Sequence, residues 1–159
     1  MRVGITGHRG LNKDVERHVR ALLDEARQSY ADDELVVVSC IADGPDAWAA
    51  ESALGCSARL EVVIPAEKYR EGLPEWHHEV YDELLRRAWD VHRTGMTESD
   101  EAAHMAGSEV LVGLVDELVA VWDGKPARGY GGTADVVAYA RRTGTPVRIV
   151  WPAGASRDQ

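Results

Sequence analysis

Short apolar runs recur along this chain with an amphipathic stretch between each pair, and that alternation restricts the fold more than any other feature. Residues 2–6 (RVGIT), 35–41 (LVVVSCI), 59–64 (RLEVVI), 117–122 (ELVAVW) and 146–151 (PVRIVW) have strand length and β-branched character. The run 35–41 is continuous rather than alternating, as a strand covered on both faces must be. Strands separated by helices are joined by right-handed crossovers, which make the sheet parallel. The expectation is an α/β protein: a three-layer Rossmann-like domain with a five-stranded parallel sheet.

The intervening segments carry helical signals. Asn12 is placed to cap a helix whose face is Val15, Val19, Leu22, Leu23 and Ala26. Pro45 fits the first turn of a second helix. Trp76, Val80, Leu84, Ala88 and Val91 repeat at helical spacing, with Tyr81, Leu85 and Trp89 on a neighbouring face. Ala103, Ala106, Val110, Leu114 and Leu118 mark the next helix, and a last one runs to Arg142 and closes at Gly144. The 159 residues suit one domain over 1–152, followed by a frayed tail over 153–159.

Charge and composition exclude some functions. The formal net charge is −9, which argues against nucleic acid as a partner but leaves room for a small anion held by local amides and an arginine. No apolar run has the ~20 residues of a membrane span, and no signal segment precedes the first strand, so a cytoplasmic protein is expected. Cys40 and Cys56 lack zinc or CxxC spacing and read as reduced core thiols. His77 and His78 are adjacent and point to different helix faces, so no metal is expected, and no cofactor.

In open parallel sheets, ligands bind beyond the carboxyl ends of the strands. Three unusual loops fall at that edge. In "TGHRG", Gly7 permits close approach, Arg9 can pair with a phosphate or a carboxylate, and His8 is either a donor to a base or a polar turn residue. In "SCIADGPD", Ser39, Asp43, Gly44 and Asp46 surround a tight turn; the aspartates suit ribose hydroxyls or base amines, or Asp43 caps the helix. In "WDGKPARGYGGT", Gly129, Gly131 and Gly132 allow amides to approach a phosphate, and Thr133 can cap the helix while donating to the same oxygen.

Acid–base chemistry has three candidate carboxylates here. Asp123 ends a strand at the same edge, and Asp135 lies in the first turn after Thr133, where it can also simply complement the helix dipole. "TESDEAAHMAGSE" can lend Glu98, Ser99 or His104, or be a solvated helix start. A carboxylate pair of this kind would serve glycosidic-bond cleavage.

In this order, "VGITGHR", "SCIADGPDAWAAESAL" and "AVWDGKPARGYGGTADVVAYARRTGTPV" resemble the SLOG superfamily of Rossmann-like nucleotide-binding proteins. That group includes the Lonely Guy (LOG) phosphoribohydrolases and the YpsA-like and DprA-like proteins. The resemblance implies a pocket for a nucleotide or nucleotide-like molecule, with its phosphate on Gly131–Thr133, in a sensor or carrier. In catalytic members it implies cleavage of an N-glycosidic bond by a phosphoribohydrolase or, as the C-terminal segment also resembles nucleoside 2-deoxyribosyltransferases, a deoxyribosyltransferase-like enzyme, and in DprA-like ones binding of single-stranded DNA. Members commonly form dimers or larger homo-oligomers, and the two apolar stripes of 76–91 agree with that. The LOG-type motif is Gly-Gly-x-Gly-Thr-x-x-Glu, with a catalytic glutamate. With Gly132–Thr133 as its Gly-Thr, the glutamate position holds Val136, and the leading glycine pair becomes Gly129–Tyr130.

Overall fold

The structure, a computed structural model, describes residues 1–30 and 34–157. It contains β1 (Arg2–Gly7), α1 (Lys13–Ser29), β2 (Val36–Ser39), α2 (Pro45–Leu54), β3 (Arg59–Ile64), α3 (Tyr69–Gly72), α4 (His78–Arg86), β4 (Asp90–Arg93), α5 (Glu101–Leu114), β5 (Glu117–Val121), α6 (Thr133–Arg142) and β6 (Val147–Val150), with a 3₁₀ turn at Glu75–His77. The sheet is parallel and has six strands in the order β4-β3-β2-β1-β5-β6, not the five expected.

The extra strand is β4, and it corrects the helix expected over 76–91. α4 stops at Arg86, the chain turns, and the Trp89 amide donates to Leu60 O (2.7 Å) to start pairing along β3. Asp-Val-His-Arg carries one apolar residue because this strand lies at the sheet edge and is at most half covered. Its period-two signal was therefore missing from the sequence. Likewise α5 ends at Leu114, and Leu118 belongs to β5.

Elsewhere local chemistry sets the boundaries. The Asn12 side chain accepts from Val15 N (2.9 Å) and opens α1; Asp100 accepts from Ala103 N (2.8 Å) and opens α5. Val15, Val19 and Leu23 of α1 pack with Trp48 of α2 on alternate residues of β1, β2 and β5 (Val3, Ile5, Val37, Val119, Val121). The opposite cluster joins Leu111 and Val112 of α5 and Val136 and Ala140 of α6 to Val38, Leu60, Val62 and Leu118. Helices thus cover both faces. Cys40 is buried as expected, but Cys56 is exposed, at the turn after α2.

No helix among the described residues is long and apolar enough to cross a membrane. Trp76 and Trp89, which the helical spacing put on neighbouring faces of one helix, lie on different elements; both are exposed, and Trp89 stacks under the Arg59 guanidinium at 4.0 Å.

Candidate functional site

The strand order reverses at β1, which pairs with β2 on one side and β5 on the other. Connections leave in opposite directions there, so a crevice opens beyond Gly7 and Val121, which pair in register. A cavity of ≈370 Å³ occupies it, within the range of about 300–1,000 Å³ typical of small-molecule sites. Its walls come from Thr6–Arg9 after β1, Cys40, Ala42 and Asp46 after β2, Tyr69 after β3, one face of α5, and the loop 127–133 leading into α6.

Gly7 is required for packing. A Cβ there would sit 2.8 Å from Pro45 Cβ and Cγ and from Val121 Cβ, so only glycine lets the first turn of α2 close over the end of β1. Gly44, at φ 99°, is the backbone cap of α2. Asp43 does not cap; it holds Arg9, which reaches its Oδ1 from Nε at 2.9 Å and from Nη2 at 2.6 Å. Ser39 is wholly buried, donates to Asp46 O and accepts from Ile41 N (both 2.9 Å), and so fixes the loop rather than lining the cavity.

His8 and Asp123 are both buried and in contact, Nε2 to Oδ1 at 3.1 Å. Arg157 meets the other ring nitrogen. Its Nη1 lies 3.1 Å from His8 Nδ1, and since a guanidinium only donates, Nδ1 accepts there, while Nε2 faces both Asp123 Oδ1 and the Asp123 amide, which points at it from 3.2 Å. Burial and then the Arg157 charge hold His8 below its ordinary value, against the pull of Asp123. Burial alone would raise Asp123, but the Lys125 amide (2.9 Å), His8 and Arg157 together keep its carboxyl below the usual range. Asp123 is thus an ionised counterion behind His8, and it does not line the cavity.

The other two expected acids also point elsewhere. Asp135 accepts the Gly131 N–H (2.9 Å), and Glu98 is exposed and bound to Lys68 Nζ (2.9 Å). Two acidic residues do line the cavity, Glu101 on α5 and Asp46, whose carboxyl burial pushes up to about 7, against the Ala42 amide and Arg9.

The glycine loop differs in detail from the expected cradle. Gly132, not Thr133, is the N-cap of α6, and Thr133 is the first helical residue. The Gly131 N–H goes to Asp135 and the Gly132 N–H to Gly129 O (3.2 Å). Among the described residues no backbone acceptor meets the N–H of Thr133 or Ala134, and the Thr133 hydroxyl makes no hydrogen bond. Thr133 lines the cavity, and so does Val136, at the position of the LOG-type glutamate.

Sequence reasoning missed several wall residues. Glu101, His104 and Ser108 share a face of α5 at i, i+3 and i+7, a spacing that was readable although only His104 was singled out. His104 contacts Ser99 Oγ (2.8 Å) and meets Tyr69 edge-on at 5.7 Å; burial and then Arg9 lower its pKa. Burial pushes the Cys40 thiol well up, which removes it as a thiolate nucleophile. Arg157 had no signal at all. It lies in the segment expected to fray and reaches the cavity. Away from the site, Glu61, Asp90 and His92 offer ligand atoms within 4.8 Å of one another, but Glu61 already binds Arg2 Nη2 at 2.7 Å.

The fold and this crevice define an α/β protein with a cavity at its topological switch point. No protein-family model and no curated protein matches the sequence. Solved structures do share the fold. DNA processing protein A (DprA) from Streptococcus pneumoniae aligns with TM-score 0.70 at 18% identity, over 98% of this chain and 52% of that one. DprA from Helicobacter pylori, described for its single-stranded DNA binding mode, gives TM-score 0.69 at 19% identity over 98% and 68%. The molybdenum cofactor (Moco) carrier protein of Chlamydomonas gives 0.55 at 15% over 93% and 74%. This chain therefore spans about half the length of the first of these. The SLOG resemblance read from sequence is thus matched in fold.

Proposed function

We propose that the crevice is a binding site for a nucleotide or nucleotide-like molecule, with its phosphate on the first turn of α6 in a Rossmann-like arrangement. One observation carries the reading: among the described residues the Thr133 and Ala134 amides have no backbone acceptor and the Thr133 hydroxyl no hydrogen bond, and Thr133 lines a cavity of nucleotide size. Helix-terminal amides and the dipole favour an anion there. The glycines shape this surface, and Arg9 and Asp46 flank the space left for sugar and base. This is the chemistry of a sensor or carrier, and the Moco carrier protein has the same fold. Homo-oligomerisation, through the exposed Trp76 of the 3₁₀ turn and Val80 of α4, belongs to the same reading.

Asp46 favours a second reading, cleavage of an N-glycosidic bond. A carboxyl that keeps its proton near neutrality can hand it to a leaving base as the C–N electron pair departs. Water then adds at the anomeric carbon, and its proton returns to the carboxylate. DNA binding, as described for the Helicobacter DprA, is the reading that the charge of −9 disfavours.

One experiment separates these. The protein is incubated with pooled nucleoside 5′-monophosphates and analysed by mass spectrometry for retained nucleotide and free base. Retention without released base supports a carrier or sensor; base release lost in Asp46→Asn supports the enzyme. Thr133→Val is expected to weaken a retained monophosphate about tenfold, one charge-assisted hydrogen bond. Unchanged affinity would remove the phosphate assignment. DNA binding with a steep salt dependence would put the third reading first.

A further inference from the structure

After β6 the chain folds back towards the end of β1, where Arg157 joins the cavity wall. Trp151 Nε1 donates to Ala155 O (3.2 Å), the Ala155 amide donates to Pro152 O (3.2 Å), and the Trp151 ring meets His8 edge-on at 5.7 Å. This turn delivers Arg157 into the wall shared by His8 and the loop before α6. Its side chain is only 11% exposed, although nothing in its local sequence calls for burial.

The guanidinium is incompletely satisfied. Of five N–H donors, one on Nη1 goes to His8 Nδ1 (3.1 Å) and one on Nη2 to Pro126 O (2.9 Å). Nε lies 3.0 Å from Asp123 Oδ2 but is not aligned for a hydrogen bond, and it is buried without a partner. Among the described residues, each Nη keeps one further N–H without a hydrogen-bond partner. A buried cation held by its back on Asp123, His8 and a backbone carbonyl leaves a planar fork for a tetrahedral or planar anion. Arg9 is less suited, because two of its nitrogens are engaged by Asp43.

We propose that Arg157 is a ligand-binding residue of this cavity, brought in by the C-terminal segment to hold an oxygen of the ligand's phosphate. The proposal rests on the nucleotide reading above and adds a buried positive charge to those of Arg9 and Arg128 in the same wall. Asp123 and His8 then have a physical role. They neutralise and orient the arginine, and they take no part in chemistry on the ligand.

The test is calorimetry on the full chain with three probes: the retained nucleoside 5′-monophosphate, its nucleoside and inorganic phosphate. Arg157→Gln is expected to raise Kd for the two phosphate-bearing probes about tenfold or more and leave the nucleoside within about twofold. Arg157→Lys keeps the charge but loses the fork, so a smaller loss in the same direction is expected, and it serves if the glutamine variant fails to fold. Unchanged phosphate affinity in both variants overturns the proposal and leaves the nucleotide reading standing. Equal loss for nucleoside and nucleotide also overturns it, since that is what mere collapse of the cavity wall would give. Wild-type protein that binds none of the probes removes the nucleotide reading, and this proposal with it.

Discussion

Replacing Asp46 by asparagine removes the one carboxyl that the folded cavity holds in an unfavourable charge state. The folded group titrates at about 7 against an ordinary 3.8. An acid raised on folding binds more protons in the folded state between those two values, so stability falls as pH rises through the window and levels off above it. At most the gap corresponds to about 4 kcal/mol at pH 8, from 1.36 kcal/mol per decade. The side chain lines an open cavity and is half-buried, so water screens part of this, and about 1–3 kcal/mol is expected. Asparagine has nearly the same shape and can still accept the Ala42 N–H. The assay is urea unfolding of wild type and Asp46→Asn at pH 4, 5, 6, 7 and 8. The variant should gain relative to wild type as pH rises from 4 to 7, with no further gain above 7. A difference that stays flat with pH would refute the argument, because packing effects of the substitution do not titrate.

Two further outcomes follow from the same site. Gly7→Ala must seat a Cβ 2.8 Å from Pro45 and Val121, well inside the ~3.5–4.0 Å of carbon contact, and is expected to cost about 1–3 kcal/mol, a melting point lower by about 3–10 °C. Gly113→Ala in α5, which meets nothing within 4 Å, should be neutral or stabilising, and a Gly7→Ala protein as stable as that control would contradict the packing seen here. The pKa of His8 is lowered on folding, so below about 6.5 the unfolded chain takes up a proton that the folded chain refuses, and stability should fall with acidification. Measured in the Asp46→Asn background, which removes the opposing slope, His8→Gln should flatten the curve between pH 5 and 6.5; equal slopes would show that His8 does not carry it.

Much of the fold was legible because its strands announce themselves. The run 35–41 is apolar but for Ser39, and Asn12 and Pro45 mark helix starts by backbone chemistry that needs no tertiary context. β4 was not legible, since an edge strand half open to water has no reason to be apolar, while Ala88, Trp89 and Val91 happen to continue the helical spacing. The edge of the sheet that holds the crevice followed from topology, and His8, Arg9, Asp46 and Thr133 line it as the loops suggested, but several other expected residues do not. Ser39, Asp43 and Asp123 are the right residue types in the right loops, yet each is engaged by a partner that sequence spacing cannot reveal: Asp46 O, Arg9, and His8 with Arg157. Arg157 comes from 149 residues away from its partner His8, a distance at which no local pattern operates.

The glycines before α6 show how a correct suspicion can attach to the wrong atoms. Their number pointed to amides approaching an anion, yet the N–H groups of Gly131 and Gly132 are consumed by Asp135 and Gly129 O. Their lack of a side chain is what matters. Gly131 has φ 88°, and a Cβ on it would lie 3.1 Å from Glu101 O; one on Gly132 would lie 2.8 Å from Ala127 Cβ. Both contacts let the loop fold tightly against α5 and onto itself, which leaves Thr133 and Ala134 as the first amides without a backbone acceptor among the described residues. Asp135 completes the arrangement by holding the loop through Gly131 while adding its charge to the positive end of the helix. A carboxylate so engaged is poorly placed as an acid catalyst but well placed to keep the loop in shape before any ligand arrives, and preorganised amides are what an anion site requires.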